Sequence, residues 1–422
     1  MTSSCPSSAH RRSGRSGAAL LTVALLATGC AVTPEDDSSS PPSALASGEA
    51  NASATAPSSG RPPAASPSAA PSSTEPAEPR TMTLNVSGDL LWHSHLWEVA
   101  EMDAQDTGNG EMDFLPQLED IQEYISAADV AVCQAEVPFA PEGGPYTSYP
   151  DFSAPPQIAD TIAELGFNVC TTASNHTLDV GFEGLVRTLD TLEAAGVEAT
   201  GAYRTQEEAE RPFIHTTDQG VKVAIVSQTY RLNGKVPPPG KDWSVDLLDA
   251  PKAIADAKAA REAGADIVAV HMHAGKEHQT MPDRQQQRFA EQVTASGEVD
   301  VIFGQHAHWV QPVDIVNGVW VVYGTGNLMA LQESGRPGTY DGAIVELTFT
   351  EQPEGGFTVT DAVFAPTMIQ GLSMDRTQRA RLHLIPDAWD DHPELAERFA
   401  ASAQRTRLAI RALGVEGLRE RE

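Results

Sequence analysis

Short apolar runs alternate with segments of helical periodicity through most of the chain, and this alternation constrains the fold more than any other feature. The runs are rich in β-branched residues, which predicts buried strands, while the segments between them carry apolar residues at helical spacing and end at glycine, which predicts helices. Such alternation indicates an α/β domain whose strands are buried on both faces. The predicted strands lie at 83–87, 129–133, 167–171, 221–227, 266–270 and 299–303. A hairpin of 310–316 and 319–323 is predicted over Asn317-Gly318, and 343–350 and 357–364 are predicted to be antiparallel strands. The predicted helices lie at 114–128, 155–166, 250–263 and 284–296, with another between 185 and 196.

Several of these strands are followed at once by a residue that could bind a metal. In α/β folds, ligands gather beyond the carboxyl ends of the strands. The shared position therefore predicts that these side chains meet in one site. They are Asp89, Glu136, Asn175, His273, His306 and His308.

The stretch from residue 299 to residue 308 carries two of these candidates. Its strand is expected to end in a tight turn at Gly304, and His306 and His308 follow, one residue apart. Side chains two residues apart in an extended segment point the same way, so both imidazoles can face one ion. The alternative is that one histidine packs and the other is solvated, because imidazole is also an ordinary partly buried group. The other strand ends with ligand-type residues favour the metal.

The six side chains form a donor set of oxygen and imidazole nitrogen without thiolate. Such a set suits Mn, Fe or Zn, and it has too many imidazoles to favour Mg or Ca. With a carboxylate able to bridge, two divalent metals about 4 Å apart are expected, an arrangement that activates water and stabilises a leaving oxygen. His176 is the candidate general acid, steadied by Asp179. The alternative for this pair is a capping interaction at a helix start.

The first eighty residues predict export and anchoring. Three arginines precede an apolar run at 18–27 that is too short to span a bilayer, as in a signal peptide. The run ends in Ala-Thr-Gly before Cys30, which resembles a bacterial lipoprotein box with Cys30 lipidated. A plain secretory signal with an incidental cysteine is the alternative. The Ser, Pro, Ala and Thr that follow cannot bury enough surface to order, which predicts a disordered tether.

These patterns divide the chain into a signal at 1–30, a tether at 31–80, a main domain at 81–371 and a charged helical tail at 372–422. The expected location is therefore extracytoplasmic, at the bacterial cell membrane. A net charge of −30, from 28 basic and 58 acidic residues, argues against nucleic-acid or anionic-membrane binding through a basic face. Cys133 and Cys170 fall in predicted strands, and we expect two buried free thiols, because adjacent parallel strands seldom hold cysteines at bridging geometry.

Six motifs in order resemble the motif series of the CapA family of capsule-synthesis proteins, the poly-γ-glutamate capsule group. That family is similar in fold to calcineurin-like metallophosphoesterases, which implies a four-layer αββα sandwich from about residue 81 to residue 371. The motifs are Gly88-Asp89, Glu136-Val137-Pro138, Ser174-Asn175-His176 with Asp179-Val180-Gly181, His273-Ala274-Gly275 with Glu277, Gly304-Gln305-His306-Ala307-His308 and Tyr323-Gly324-Thr325-Gly326-Asn327.

The resemblance implies a role for each candidate. Asp89 and His308 would bind one ion, with Glu136 bridging to a second. Asn175, His273 and His306 would hold that second ion, and His176 would protonate the leaving group. The metallophosphoesterases usually have a histidine two residues after the first aspartate. Leu91 stands there in this chain, and His93 and His95 are the candidates to replace it.

Two functional classes follow from the resemblance. The first is a metal-dependent protein of capsule or cell-surface polymer assembly that hydrolyses a phosphoester or the anionic polymer. The second is a non-catalytic accessory protein that binds nascent poly-γ-glutamate or a capsule synthetase or export protein, with a one-metal or vestigial site. The presence of every expected asparagine and histidine at the later motifs favours the first class; these residues are Asn175, His176, His273, His306 and His308. Leu91, which stands where the metallophosphoesterases have a histidine, favours the second class. Fold alone cannot decide between them, since one fold hosts many functions.

Overall fold

Two β-sheets that face each other form the centre of the chain. The computed structural model describes residues 78–332, 335–371 and 378–422. The predicted signal peptide, Cys30 and residues 31–77 of the predicted tether lie outside the described residues. The strands are β1 (Thr81–Leu91), β2 (Val130–Ala135), β3 (Val169–Thr171), β4 (Glu198–Thr200), β5 (Ile214–Thr216), β6 (Lys222–Thr229), β7 (Ile267–His273), β8 (Val301–Gln305), β9 (Val313–Val316), β10 (Val319–Val322), β11 (Asn327–Ala330), β12 (Asp341–Glu351), β13 (Phe357–Gln370), β14 (Arg381–Leu384) and β15 (Leu418–Glu420).

The first sheet has the strand order β14-β13-β12-β1-β2-β3-β4, with β11 beside β1 and β15 beside β13. The second sheet has the order β5-β6-β7-β8-β10-β9. The central strands β1, β2, β3 and β4 run parallel, as do β6, β7 and β8. The carboxyl ends of each parallel set therefore lie at one edge of its sheet. The hairpin of β9 and β10 turns at Asn317 and Gly318, as the sequence predicts.

Helices cover the outer faces of both sheets. The helices are α1 (Ser94–Thr107), α2 (Gln122–Ser126), α3 (Ile158–Glu164), α4 (Gly181–Ala194), α5 (Gln206–Glu210), α6 (Ala250–Glu262), α7 (Arg284–Thr294), α8 (Ile385–Ala388) and α9 (Ala396–Ile410). Among the described residues, no helix combines the length and the apolar character that crossing a bilayer requires.

Alternating side chains along the strands separate the layers. Along β7, Ile267 and Ala269 point into the core between the two sheets, whereas Val268 and Val270 pack under α6 and α7. The first sheet follows the same rule, since Val132 lies between the sheets and its neighbour Cys133 faces the core on the helix side. Because both faces of these strands are covered, the sequence of each strand is an unbroken apolar run. The order helix, sheet, sheet, helix confirms the predicted αββα fold.

Two helix predictions differ from the structure. The predicted helix at 114–128 is a series of 3₁₀ turns at Leu115–Gln117 and Glu119–Ile121 followed by α2, since the backbone of Leu118, with a φ of −130°, leaves the helical conformation between the two turns. Helix α1 was not predicted. It buries Leu96, Val99 and Ala100 on one side and ends at Gly108, whose φ of 76° provides the left-handed cap.

The predicted helical tail at 372–422 contains α9 but also completes the first sheet. Strand β14 pairs antiparallel with β13, and β15 pairs parallel with it. Arg379 and Arg381 reach Asp103 of α1 at 2.5 and 2.8 Å, and Asp103 is buried. This part of the chain is thus built into the domain, because strand pairing and buried ion pairs hold it there.

The expectation of two free thiols was wrong. Cys133 of β2 and Cys170 of β3 are register partners on neighbouring parallel strands, with Cα atoms 4.5 Å apart, and they form a disulfide. The two side chains share one face of the sheet at a separation within the range that a disulfide spans. The bond joins the two strands that lead to Glu136 and Asn175.

Candidate metal centre

The strand ends bring the six predicted ligands to one buried place. Asp89 lies near the end of β1, Glu136 follows β2, and His273 is the last residue of β7. Asn175 follows β3 by four residues, and the histidine pair follows β8. Each of these side chains is buried, with Asp89 and His273 completely so. The first sheet therefore supplies the carboxylates and the amide, and the second sheet supplies the imidazoles.

A left-handed turn, and not an extended segment, places the two histidines. His306 has a φ of 93° and His308 a φ of 54°, values that residues with a Cβ rarely adopt. The backbone N–H of His306 donates to Asp89 Oδ2 at 3.2 Å, which ties this turn to the first sheet. Backbone strain of this kind concentrates at functional sites, where the surroundings hold it in place. The expected meeting of the two imidazoles is found, but the reason given for it was wrong.

Gly304 also has a different role from the expected turn. It lies inside β8, and a Cβ built there would be 2.5 Å from the carbonyl oxygen of Tyr323 and 3.2 Å from that of Met272. The neighbouring backbones thus approach too closely for any side chain. Glycine at this position lets the second sheet close tightly just before the two histidines.

His308 contacts both buried carboxylates. Its Nδ1 lies 3.2 Å from Asp89 Oδ2, and its Nε2 lies 3.8 Å from Glu136 Oε1. Burial by itself would lower the pKa of His308, but the charges of Glu136 and Asp89 outweigh it and raise the pKa to about 10. Without a bound cation, this imidazole is therefore the counter-charge of the two carboxylates.

Glu136 lies between the imidazoles of the two halves of the site. His273 Nε2 is 3.8 Å from Glu136 Oε1, the same separation as for His308, and 2.8 Å from Asn175 Oδ1. Burial and the neighbouring charge of Asp89 hold the pKa of Glu136 well above its usual value. Burial, reinforced by the other histidines, lowers the pKa of His273 and His306, so both rings are neutral and keep a lone pair to offer.

The polar atoms of the site lack the partners that buried groups normally have. Asp89 Oδ1, both carboxylate oxygens of Glu136, His273 Nδ1 and His306 Nδ1 are buried without a hydrogen bond to any described residue. One ligand atom from each of Glu136, His306 and His308 lies within 4.8 Å of the others. Buried unsatisfied groups are uncommon and costly, and a cation among them would satisfy several at once. The residues present thus fit a divalent metal.

His176 and Asp179 form a hydrogen-bonded pair beside this cluster. His176 Nδ1 lies 2.7 Å from Asp179 Oδ2, which also accepts from the backbone N–H of Phe152 at 2.8 Å. Asp179 does not cap α4, whose N-cap is Val180 without a side-chain hydrogen bond. The alternative of a local capping interaction is therefore not what the structure contains. With Nδ1–H donated to Asp179, the Nε2 atom of His176 is left for another partner.

Residues 83–332 match the family described as "Bacterial capsule synthesis protein PGA_cap". The chain belongs to this family. The matched segment contains all eight predicted site residues, and the resemblance to CapA that the motifs predict is confirmed.

Two curated relatives of this PGA_cap chain are capsule proteins of Bacillus. The PGA biosynthesis protein CapA of Bacillus subtilis is 27% identical over 199 residues, which are 47% of this chain and 51% of that protein. The capsule biosynthesis protein CapA of Bacillus anthracis is 24% identical over 278 residues, 64% of each chain. The chain thus spans about half to two thirds of the length of these relatives. Among solved structures, the calcineurin-like phosphoesterase YfkN of Bacillus subtilis aligns with a TM-score of 0.36 and 14% identity, over 76% of this chain and 99% of that one.

The position two residues after Asp89 is where this PGA_cap chain departs from the metallophosphoesterase pattern. Leu91 is buried there, and of the two candidate replacements His95 is exposed, whereas His93 is half-buried. Burial, with smaller contributions from His308 and His176, lowers the pKa of His93 to about 4. His93 is therefore the candidate that lies near the site, although its Nδ1 is 3.0 Å from the carbonyl oxygen of Leu91.

Asn327 is a residue of the site that the sequence analysis did not select. It begins β11 and is the register partner of Asp89 in β1. Its Oδ1 lies 2.9 Å from His308 Nδ1, and its Nδ2 donates to the carbonyl oxygen of Thr339 at 2.9 Å. A metal-binding histidine commonly donates its other ring N–H to such an oxygen. The motif ending in Asn327 was the available signal, because it stood in the CapA series.

Proposed function

We propose that this protein acts outside the cytoplasm in the synthesis of a capsule or other cell-surface polymer of the poly-γ-glutamate type, and that it carries a metal-dependent hydrolase site. Membership of the PGA_cap family supports the polymer-related role. The predicted signal and lipidated Cys30 support an anchor in the bacterial cell membrane. The domain would then work on its tether near the machinery that makes or exports the polymer.

The observation that carries the hydrolase proposal is the position of Glu136. Its Oε1 lies 3.8 Å from His273 of one group and 3.8 Å from His308 of the other, and neither of its oxygens has a hydrogen bond to a described residue, which suits a ligand shared by two ions. Asp89 and His308 would hold one divalent metal, and Asn175, His273 and His306 the other. Bound there, Mn, Fe or Zn would polarise the substrate and lower the pKa of a water molecule.

His176 would be the general acid that donates a proton to the leaving oxygen. Its Nδ1 is held by Asp179, whose second contact to the backbone N–H of Phe152 fixes the carboxylate in turn. This arrangement orients the ring, so that Nε2–H can donate a proton to a leaving oxygen. The ring also packs edge-on against Phe152 at 5.0 Å between centroids, which restricts its rotation.

The substrate class we propose is anionic, either a phosphoester or the polymer itself. Two bound divalent ions would be the largest local charges in the site and would attract an anion despite the net charge of −30. The same charges would oppose the negative oxygen that develops as the bond breaks.

A second candidate function is favoured by Leu91. Without a histidine at this position, the ion at Asp89 and His308 loses a ligand, and the Nδ1 of His93 already faces backbone groups of Leu91 and Leu331. A site that keeps one metal, for structure or for binding the polymer, would make the protein an accessory of the synthetase or exporter.

Metal content and turnover, measured on the same samples, separate the two functions. We expect about two metals per chain in the wild type, with hydrolysis of a generic phosphodiester in added Mn²⁺, and loss of both in His308→Ala and His273→Ala. His176→Gln should keep its metal and lose turnover roughly 10²–10⁴-fold, the usual contribution of a general acid. His278→Gln is the matched control, because this half-buried histidine lies nearby without contacting the six ligands.

The metal content and the turnover together distinguish the hydrolase from the accessory protein. One metal and no turnover would support the accessory role. No metal in the wild type, with all variants folded, would refute the ligand assignment. Full turnover in His176→Gln would remove His176 from the mechanism and leave the metal centre standing.

A further inference from the structure

A second group of metal-type ligands lies outside the site described above. We call it the C-terminal histidine cluster, and it consists of Asp120, His383 and His392, each offering one ligand atom within 4.8 Å of the others. Asp120 belongs to the 3₁₀ turn at Glu119–Ile121, His383 to β14, and His392 precedes the 3₁₀ turn at Pro393–Leu395 that leads into α9. Both histidines lie beyond the segment that matches the PGA_cap family.

The imidazole of His383 is held between two oxygen atoms. Its Nδ1 is 2.7 Å from Asp120 Oδ2, and its Nε2 is 3.3 Å from Gln370 Oε1. The amide of Gln370 faces His383 with its oxygen because its Nε2 is directed at the carbonyl oxygen of Arg379. A neutral imidazole has one N–H, so only one of these two contacts can be a hydrogen bond.

If Nε2 carries the proton and donates to Gln370, the lone pair of Nδ1 points at a carboxylate oxygen. Two lone pairs at that distance repel each other unless a cation lies beside both. A histidine that binds a metal through one nitrogen and donates the other N–H to an oxygen is the common arrangement at metal sites. In that tautomer, the contacts of His383 are those of a ligand with its outer partner in place.

The rest of the cluster leaves room for an ion to enter. His383 is 3% exposed, whereas Asp120 and His392 are both partly exposed. The rings of His383 and His392 are 4.7 Å apart between centroids, and Phe399 of α9 packs against His383 at 5.4 Å. One ligand is thus rigid and buried, and the other two lie at the protein surface.

We propose that the C-terminal histidine cluster binds a divalent transition metal of the zinc class through Asp120, His383 and His392. Two imidazoles and one carboxylate are a ligand set that Zn²⁺ takes with a fourth position open. Bond lengths of about 2.0–2.1 Å place tetrahedral ligands roughly 3.3 Å apart. Asp120 Oδ2 and His383 Nδ1, which are 2.7 Å apart, must therefore separate slightly, and His392 must move to reach the same spacing from both. His392 can supply this movement because it lies in a surface turn.

Such a metal would join parts of the chain that are far apart in sequence. Asp120 lies in the family-matched segment, whereas β14 and the start of α9 come from the region that follows it. Binding would therefore stabilise the docking of the C-terminal region on the domain, independently of any reaction at the metal centre.

The test is Zn²⁺ titration of the full chain after removal of metal with a chelator. The His273→Ala/His308→Ala background disables the metal centre, so the remaining binding reports the cluster alone. We expect about one Zn²⁺ per chain in this background by calorimetry, and slower hydrogen exchange in α9 when Zn²⁺ is present. Adding His392→Ala should weaken binding by more than the roughly 10–100-fold that loss of an outer partner costs.

Two further variants keep the test decisive. Gln370→Leu should weaken Zn²⁺ binding by roughly 10–100-fold, since it removes only the outer partner of His383. Asp391→Asn is the matched control, because this exposed carboxylate is the neighbour of His392 and is not part of the cluster. Unchanged Zn²⁺ binding in a folded His392→Ala chain, or no Zn²⁺ bound in the background, would overturn the proposal. Neither result depends on hydrolase activity.

Discussion

Replacing Glu136 by glutamine should stabilise the metal-free protein and remove most of its response to metal. The carboxylate is 1% exposed, has Asp89 as a like-charged neighbour and has no hydrogen bond to either oxygen from the described residues. Glutamine keeps the shape of the side chain, so no cavity forms. The substitution therefore changes the charge and leaves the packing as it is.

The size of the effect follows from two opposing costs. A poorly compensated buried ion costs several kcal/mol, whereas a buried amide without partners costs about 1–3 kcal/mol. We expect the free energy of unfolding of the metal-free variant to exceed that of the wild type by about 2 kcal/mol. His308 loses one partner in the variant but keeps Asp89 at 3.2 Å, so its charge stays paired.

Bound metal should reverse the order of stability of the wild type and Glu136→Gln. At a free metal concentration of about 100 times its Kd, the wild type gains about 2.7 kcal/mol, and the variant should gain little because it lacks the shared ligand. Urea denaturation in chelator and in excess Mn²⁺ measures both quantities. Glu277→Gln is the control, since this exposed carboxylate contributes to the field at Glu136 without contacting the six ligands.

The stability difference between Glu136→Gln and the wild type should also depend on pH in one direction. A carboxyl group whose pKa is raised on folding binds its proton more tightly in the folded state, so stability falls as pH rises above the unfolded value of about 4.3. The advantage of Glu136→Gln without metal should therefore grow from about that pH upward. A variant less stable than the wild type in chelator would refute the electrostatic reasoning, and an undiminished response to Mn²⁺ would refute Glu136 as a ligand.

Two other predictions test the surroundings of the site. Gly304→Ala should lower the free energy of unfolding by about 1–3 kcal/mol, since its Cβ would lie 2.5 Å from the carbonyl oxygen of Tyr323, and an unchanged urea midpoint would contradict the close approach. In chelator, the wild type should lose stability as pH rises from about 6.5 to about 10, because the raised pKa of His308 favours folding only while the ring is protonated. Denaturation across that range should show a flatter slope in His308→Gln, and equal slopes would exclude His308 as the source.

Local patterns were enough to predict the α/β class and the edge of the sheets where the site lies, whereas the four-layer arrangement came from the resemblance to the CapA family. Apolar runs and helical periodicity fix which segments are strands, and a ligand-type residue after a strand is visible in the sequence alone. The strands at 343–350 and 357–364 were also found, although the structure extends the second to Gln370. What local patterns could not predict were pairings between distant segments. The disulfide partners, the strands of the C-terminal region and the place of Asn327 beside Asp89 all depend on the register of the assembled sheet.

The geometry of the site indicates that its backbone strain and unpaired carboxylates lower the stability of the fold. A Cβ at Gly88 would lie 2.4 Å from the carbonyl oxygen of Gly326, so β1 and the segment entering β11 approach as closely as backbones can. That approach brings Asn327 beside Asp89, and the second sheet forces His306 and His308 into left-handed backbone to meet them. Strained backbone and unpaired buried carboxylates both lower stability, and neither improves packing. A fold that keeps both in one place is better explained by binding of a cation than by stability.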